Sequence, residues 1–252
     1  MSRVTIAVLN QKGGVGKTTT AINLAGYLAA GRQQVLLVDF DPQSNASSGL
    51  GAGGAEAPTS YEILFDASLA AKAVRPTAYK NLHLLPATTG LAAAEVEMAS
   101  VNGRETRLRQ ALKADKHDYV FIDCPPALGL LTINALAAAD YVLIPVQAEY
   151  YALEGLSQLL AVIQRVRGQL NPQLELLGVI LTMYDKRTSL AEQVRGELAK
   201  HFGDKLFAAI IPRNVRLAEA PSYGQTIIDY DKWSKGARAY KQLAKEVLQR
   251  AG

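Results

Sequence analysis

The 252 residues contain one cysteine, Cys124. A single thiol excludes an internal disulfide and any multi-cysteine zinc or iron–sulfur site within one chain. No histidine pairs with it in a recognisable catalytic arrangement, so Cys124 reads as a small buried residue rather than a nucleophile. The three histidines, His83, His117 and His201, show no metal-ligand spacing and read as structural. Long apolar runs are missing too: none approaches the roughly 18–20 residues that a bilayer-spanning helix requires. A secretory leader is not evident either. Met1-Ser2-Arg3 leads straight into the strand-like Val4–Leu9, with neither the length of a signal core nor a small-residue cleavage site. A cytoplasmic protein that does not enter a membrane is expected.

What the chain does contain is ordinary globular material, 49% apolar and 20% charged, in a length that suits one large α/β domain or two small ones. Continuous apolar runs of strand length recur at Val4–Leu9, Val35–Val38, Leu82–Leu85, Tyr119–Ile122, Tyr141–Val146, Leu176–Leu181 and Leu206–Ile211. Runs apolar at every position suit strands covered on both faces. Helix-length stretches lie between them. Thr18–Ala30 gathers Ile22, Leu24, Ala25 and Leu28 on one side, and Tyr151–Val166 gathers Leu153, Leu156, Leu159, Leu160 and Ile163. The alternation predicts an α/β fold: one doubly wound domain over 1–252, with a mostly parallel sheet flanked by helices. Ser44–Ser60, rich in Gly, Ala and Ser, is expected to be a mobile loop. The final helix, Ser234–Arg250, sets Ala237, Tyr240, Leu243, Ala244 and Val247 at helical spacing, a face for docking on the core rather than on a membrane.

The formal net charge is +4, and its placement says more than its size. From Asp185 onward, 13 Lys/Arg stand against 8 Asp/Glu, whereas the preceding residues carry 14 against 15. This skew suits a polyanion partner, and equally a solvated basic surface.

The strongest chemical signal follows the first strand: Gln11-Lys12-Gly13-Gly14-Val15-Gly16-Lys17-Thr18-Thr19. A strand, a glycine-rich turn and a helix form the context in which this motif binds phosphate, the P-loop of nucleoside triphosphatases. Glycines let successive backbone N–H groups curve around the phosphates, and the helix N-terminus adds its positive end. Lys17 is placed to reach the β- and γ-phosphates and Thr18 to ligate Mg²⁺. Two acidic positions close apolar strands, Asp39-Phe40-Asp41 and Asp123. Residues just past the carboxyl ends of such strands line the ligand crevice, where a carboxylate holds the metal or orients the attacking water. Alone, each acid reads better as a turn or helix cap; beside the phosphate loop, Asp41 and Asp123 read as site residues.

One position departs from the general pattern: its first glycine falls on Gln11, and Lys12 follows. With that early lysine, Lys12–Thr18 resembles the deviant Walker A box of the ParA/MinD family of P-loop ATPases. The resemblance implies an ATP sandwich dimer in which Lys12 reaches the nucleotide of the partner subunit. It also implies a water-positioning role for Asp41, a Walker B role for Asp123 and support of the metal shell by Asp39. The segment Ile211–Ser222 resembles the chromosome-partitioning branch, where Pro, Arg and Asn surround the adenine, roles that fall here on Pro212, Arg213 and Asn214. Ala127–Leu136 and Pro145–Leu160 resemble the same branch.

For that branch the implied activity is Mg²⁺-dependent ATP hydrolysis. The ATP-bound homodimer binds double-stranded DNA on the nucleoid without sequence preference, and a ParB-type protein stimulates its release. The implied DNA-facing residues are Arg187, Arg195, Arg216, Lys232, Lys235, Arg238 and Lys241, with Arg187 and Arg216 matching best. Three other readings fit less well. A MinD-like membrane regulator requires a terminal amphipathic helix with bulky apolar and basic faces, whereas this chain ends Val247-Leu248-Gln249-Arg250-Ala251-Gly252. A nitrogenase-type metallocluster protein requires at least two cysteine ligands. A bacterial tyrosine kinase would show a tail cluster of tyrosines, and only Tyr240 lies there. No helix-turn-helix domain precedes the first strand, so operator binding is not expected.

Overall fold

A computed structural model describes residues 3–149 and 154–252. The apolar runs become the strands β1 (Val4–Val8), β2 (Val35–Asp39), β4 (Leu82–Leu85), β5 (Tyr119–Asp123), β6 (Tyr141–Gln147) and β7 (Glu175–Thr182), joined by a two-residue β3 (Arg75–Pro76). They form one sheet in the order β3-β4-β2-β5-β1-β6-β7. Every pair is parallel except β3–β4.

Alternating side chains feed two cores, one on each face of the sheet. From β5, Val120 and Ile122 enter one core and Tyr119 and Phe121 the other; β2 divides Leu36 and Val38 from Val35 and Leu37 in the same way. The first core is covered by the helices Leu130–Ala138, Glu154–Gln169 and Ser189–Phe202. The second is covered by α1 (Lys17–Ala30) and the terminal helix Lys235–Ala251. Ser234 caps that terminal helix by accepting from Ala237 N at 3.0 Å. Its stripe, Ala237, Tyr240, Leu243, Ala244 and Val247, is buried in the core as expected. Two hydroxyls tie it to α1: Tyr240 Oη meets Thr20 Oγ1 at 3.0 Å, and Tyr27 Oη donates to Ala237 O at 2.7 Å. Among the described residues, no helix is long and apolar enough to cross a membrane.

Two expectations are corrected. Leu206–Ile211 is not a strand. Phe207 N and Ile211 N donate to Val179 O and Leu181 O, each at 2.9 Å, but between them Ala208 N turns to the Glu246 carboxylate. Only isolated bridges remain, Val179 with Leu206 and Tyr184 with Pro212. Ser44–Ser60 is not a loose loop either. Its two ends are fixed, by the helix Asn45–Gly49 and by Ser47 and Ser60, which are buried against Asp39 at the end of β2, and only residues 51–58 between them are irregular and largely exposed. Ser60 Oγ donates to Asp39 O at 2.5 Å. The helix expected over Tyr151–Val166 is Glu154–Gln169; residues 151–153 lie outside the described residues.

Candidate active site

The carboxyl ends of β1, β2, β5 and β7 converge on the loop between β1 and α1. That loop leaves β1 through Asn10, whose Nδ2 donates to Pro145 O at 2.7 Å and whose Oδ1 accepts from Lys12 N at 3.0 Å. Gly14 (φ 73°) and Gly16 (φ 89°) occupy the left-handed region that L side chains rarely adopt, so the curve of the loop depends on glycine there. No side chain caps α1 at Gly16, and its first turn carries no acid, so its opening amides are left for an anion.

Lys17 is 7% exposed, and its Nζ donates to Lys12 O at 3.2 Å. Burial lowers its pKa, opposed by the charges of Asp123 and Asp41. Around it opens a cavity of about 360 Å³ lined by Gly13, Gly14, Gly16, Lys17, Thr18, Thr19, Asp41, Gln43, Asn45, Pro126 and Met183. A second cavity of about 290 Å³ adjoins it, lined in part by Thr182, Pro212, Arg213, Asn214, Val215, Leu217 and Tyr240. Gly16, Thr19 and Met183 belong to both walls, so the two form one groove, polar at the loop and apolar beyond it. A larger cavity of about 590 Å³ lies at the other end of α1, between Arg32, Tyr79, Lys80 and Asp229. It has no phosphate loop, and size alone does not make it the reaction site.

The three carboxylates differ in environment. Asp123, at the end of β5, is fully buried, and neither of its oxygens has a hydrogen-bond partner. Burial, followed by the neighbouring charge of Asp39, pushes its pKa well above the carboxylate range. The Thr18 side chain lies beside it and acts in the opposite direction. Asp39 is also fully buried, but its Oδ2 accepts from Ser47 N at 2.7 Å and Ser47 Oγ at 2.6 Å, and its Oδ1 from Asp41 N at 3.3 Å. Burial raises its pKa to about 6 against those donors. Asp41 faces the phosphate cavity, and its Oδ1 accepts from Gln43 N at 2.9 Å.

Two buried, unpaired oxygens on one carboxylate are costly unless an ion or a water satisfies them. Among the described residues, no group of three or more His, Cys, Asp or Glu forms a metal cage. The Thr18 hydroxyl and the Asp123 carboxylate therefore suit a hard cation that takes its remaining ligands from phosphate and water, as Mg²⁺ does.

The AAA domain family matches residues 3–176. The chain is 55% identical over 245 residues to the sporulation initiation inhibitor protein Soj of Bacillus subtilis, covering 96% of this chain and 97% of that protein. It is 56% identical over 245 residues to the chromosome-partitioning ATPase Soj of Thermus thermophilus, covering 97% and 95%. The chain belongs to the Soj/ParA family of chromosome-partitioning ATPases. Among solved structures, cobyrinic acid a,c-diamide synthase from Mycobacterium smegmatis with a bound ATP analogue and magnesium superposes with a TM-score of 0.86 at 37% identity, covering 98% of this chain and 95% of that one.

In this Soj/ParA chain the lysine that sets the family apart stands outside its own groove. Lys12 Nζ pairs with Glu149 at 2.6 Å on the surface, both side chains being nearly half exposed. Asn214 caps the short helix Val215–Glu219 by accepting from Arg216 N at 2.9 Å. The basic residues fall into separate groups. Arg187, in the turn after β7, is held by Asp185 through Nε and Nη2 at 2.9 and 2.6 Å. The Arg187 hydrogen bonds hold the Asp185 carboxyl well below the usual range. Arg195 lies 3.8 Å from Glu192 on the helix Ser189–Phe202. Arg216 pairs with Glu219 at 2.9 Å and with Asp231 at 3.7 Å. Lys232 lies over the Trp233 ring, and Lys235, Arg238 and Lys241 belong to the terminal helix.

Sequence reasoning missed Gln43, Asn45, Thr182, Met183 and Tyr240 as lining residues. Thr182 closes β7 and Met183 follows it, so the strand-end rule that found Asp41 and Asp123 would have found them as well. Met183 has φ 49°, an uncommon backbone state for a side chain of that size, and it stands where both cavities meet. Cys124 is fully buried, as expected, and burial raises its thiol pKa well above the ordinary value. His117 lies between Asp115 and His83, with its Nδ1 at 2.9 Å and its Nε2 at 3.0 Å.

Proposed function

We propose that this chain is an ATP-driven switch whose dimer binds DNA without sequence preference and lets go on hydrolysis. The observation that carries the reading is the continuous groove, with a buried lysine and an open helix terminus at its phosphate end and Pro212–Asn214 at its apolar end.

In this reading the amides of Gly13–Thr19 and the Lys17 ammonium hold the β- and γ-phosphates. Desolvation strengthens that contact, because no water shell competes for the charge. Pro212, Arg213 and Asn214 flank the adenine; the Asn214 carbonyl already serves as a cap, which leaves its amide N–H groups for the base. Thr18 and Asp123 hold Mg²⁺, which when bound offsets charge on the β- and γ-phosphate oxygens. Asp39 supports that shell from behind by fixing Ser47 and the amide of Asp41. Asp41 positions the attacking water. Lys12 exchanges Glu149 for the phosphates of a partner subunit, so each site is completed only in the dimer. Arg187, Arg195, Arg216, Lys232, Lys235, Arg238 and Lys241 meet DNA phosphates, and pairing two subunits doubles that surface. A ParB-type partner accelerates hydrolysis. The residues 1–252 act as one catalytic domain in the cytoplasm, on the nucleoid.

The test is binding of the purified chain to two unrelated duplexes with ATP, ADP or no nucleotide, across a salt series. The expected result is ATP-dependent binding of equal strength to both, with a log–log salt slope that falls by about 0.9 for each phosphate contact removed, as in Arg216→Ala. Binding to one duplex alone indicates a sequence-specific regulator. Binding to anionic vesicles in place of DNA indicates a membrane regulator.

A further inference from the structure

Rings and cations alternate along one stretch of surface near the end of the chain. Tyr223 and Tyr230 have ring centres 5.3 Å apart, the Arg216 guanidinium lies 6.0 Å from the centre of Tyr230, and Lys232 Nζ lies 5.2 Å from the centre of Trp233. Asp231 joins the two halves, since its carboxylate sits 3.7 Å from Arg216 Nε and accepts from Trp233 N at 3.2 Å. Glu219 braces the middle, accepting from Arg216 Nη1 and from Tyr230 Oη, each at 2.9 Å. The rings at the two ends stay open: Tyr223 is 67% exposed and Trp233 78%. None of these side chains lines the nucleotide groove.

We propose that this surface receives unpaired nucleobases. Trp233 and Tyr223 each stack on a base, while Arg216, Lys232 and Lys235 hold the phosphates between them. The proposal rests on the DNA-binding reading above and deepens it, from backbone contact alone to contact with bases that lack a partner strand. Phosphate contact requires only cations, and a tryptophan ring gains little from a duplex whose bases already stack on one another. An unpaired base offers its flat face to any aromatic ring, whatever the sequence. Lys232 lies against the Trp233 ring, which orients it and places a positive charge where a stacked nucleotide carries its phosphate. Asp231 and Glu219 are committed to Arg216 and set its position. A lipid surface fits less well, because the chain neighbours of Trp233, namely Asp231, Lys232, Ser234 and Lys235, are all polar or charged.

Trp233 is the only tryptophan, so the emission of the intact chain reports on this residue alone. The experiment titrates the full chain, loaded with a non-hydrolysable ATP analogue, with short oligothymidylate, with blunt duplex and with phosphatidylglycerol vesicles. The expected result is quenching by oligothymidylate, with about tenfold weaker oligothymidylate binding in Trp233→Ala and most of the affinity kept in Trp233→Phe. Far-UV circular dichroism checks that both variants are folded. If oligothymidylate leaves the emission unchanged and Trp233→Ala binds it as tightly as the parent chain, the proposal is overturned. Blue-shifted emission with vesicles and no response to oligothymidylate overturns it in favour of a lipid contact. Duplex binding with silent tryptophan emission removes only this inference, whereas no binding of any DNA removes the DNA-binding reading with it.

Discussion

Asp39, Asp41 and Asp123 differ in what satisfies their oxygens, and the separate roles proposed for them rest on that difference. Asp123 has only the Thr18 side chain beside it and no geometric hydrogen bond, Asp41 faces the phosphate cavity, and Asp39 is held by Ser47 and the amide of Asp41. If Asp41 positions the attacking water as proposed, Asp41→Ala should bind ATP normally and lose turnover by at least about a hundredfold. Calorimetry and a phosphate-release assay check the two halves separately. Lys12→Ala should lose turnover as well, for a different reason. Mixing it with Asp41→Ala should restore activity that neither variant has alone, since one site of the mixed dimer then contains both groups; an inactive mixture would place Lys12 in its own subunit's site. Ser47→Ala tests the brace. Ser47 Oγ donates to Asp39 and accepts from Ala87 N at 3.0 Å, so its loss leaves a buried carboxylate and a buried amide underserved. Urea unfolding should show about 1–3 kcal/mol of lost stability.

At the scale of elements, the terminal helix and α1 are coupled by contacts that no local pattern announces. The Tyr240 ring forms part of the apolar end of the groove, and its buried hydroxyl meets Thr20 one turn into α1. Tyr240→Phe keeps the ring but orphans the Thr20 hydroxyl, and thermal unfolding should show a loss of about 1 kcal/mol with ATP affinity little changed. The strands were legible because a sheet covered on both faces requires apolar residues at every position. The same logic failed at Leu206–Ile211, where every residue is apolar but burial is interrupted at the exposed Ala208, whose N bonds to a carboxylate on the terminal helix. It failed at Ser44–Ser60 for the opposite reason: small polar residues show no periodicity, and only the tertiary partner Asp39 makes Ser47 a core residue. The phosphate loop could be read because its chemistry is local, in consecutive residues between a strand and a helix. Tyr240 could not, because a distant part of the chain, the terminal helix, brings it to the groove.

For the molecule as a whole, the reaction centre coincides with the middle of the sheet. β5 lies between β1 and β2, and its last residue, Asp123, is followed by the chain's one thiol, buried in the first core. In the closed protein Cys124 is inert twice over, shielded from reagents and kept protonated by burial. It can be alkylated only when the centre of the sheet opens, so the rate of alkylation without denaturant counts those openings. ATP bound as proposed, from the loop after β1 to the segment around Pro212, should slow that rate in proportion to its occupancy, and Lys17→Ala should abolish the slowing. A thiol with no part in the chemistry thus serves as a built-in clock, which times how often the catalytic centre comes apart and how firmly its substrate keeps it shut.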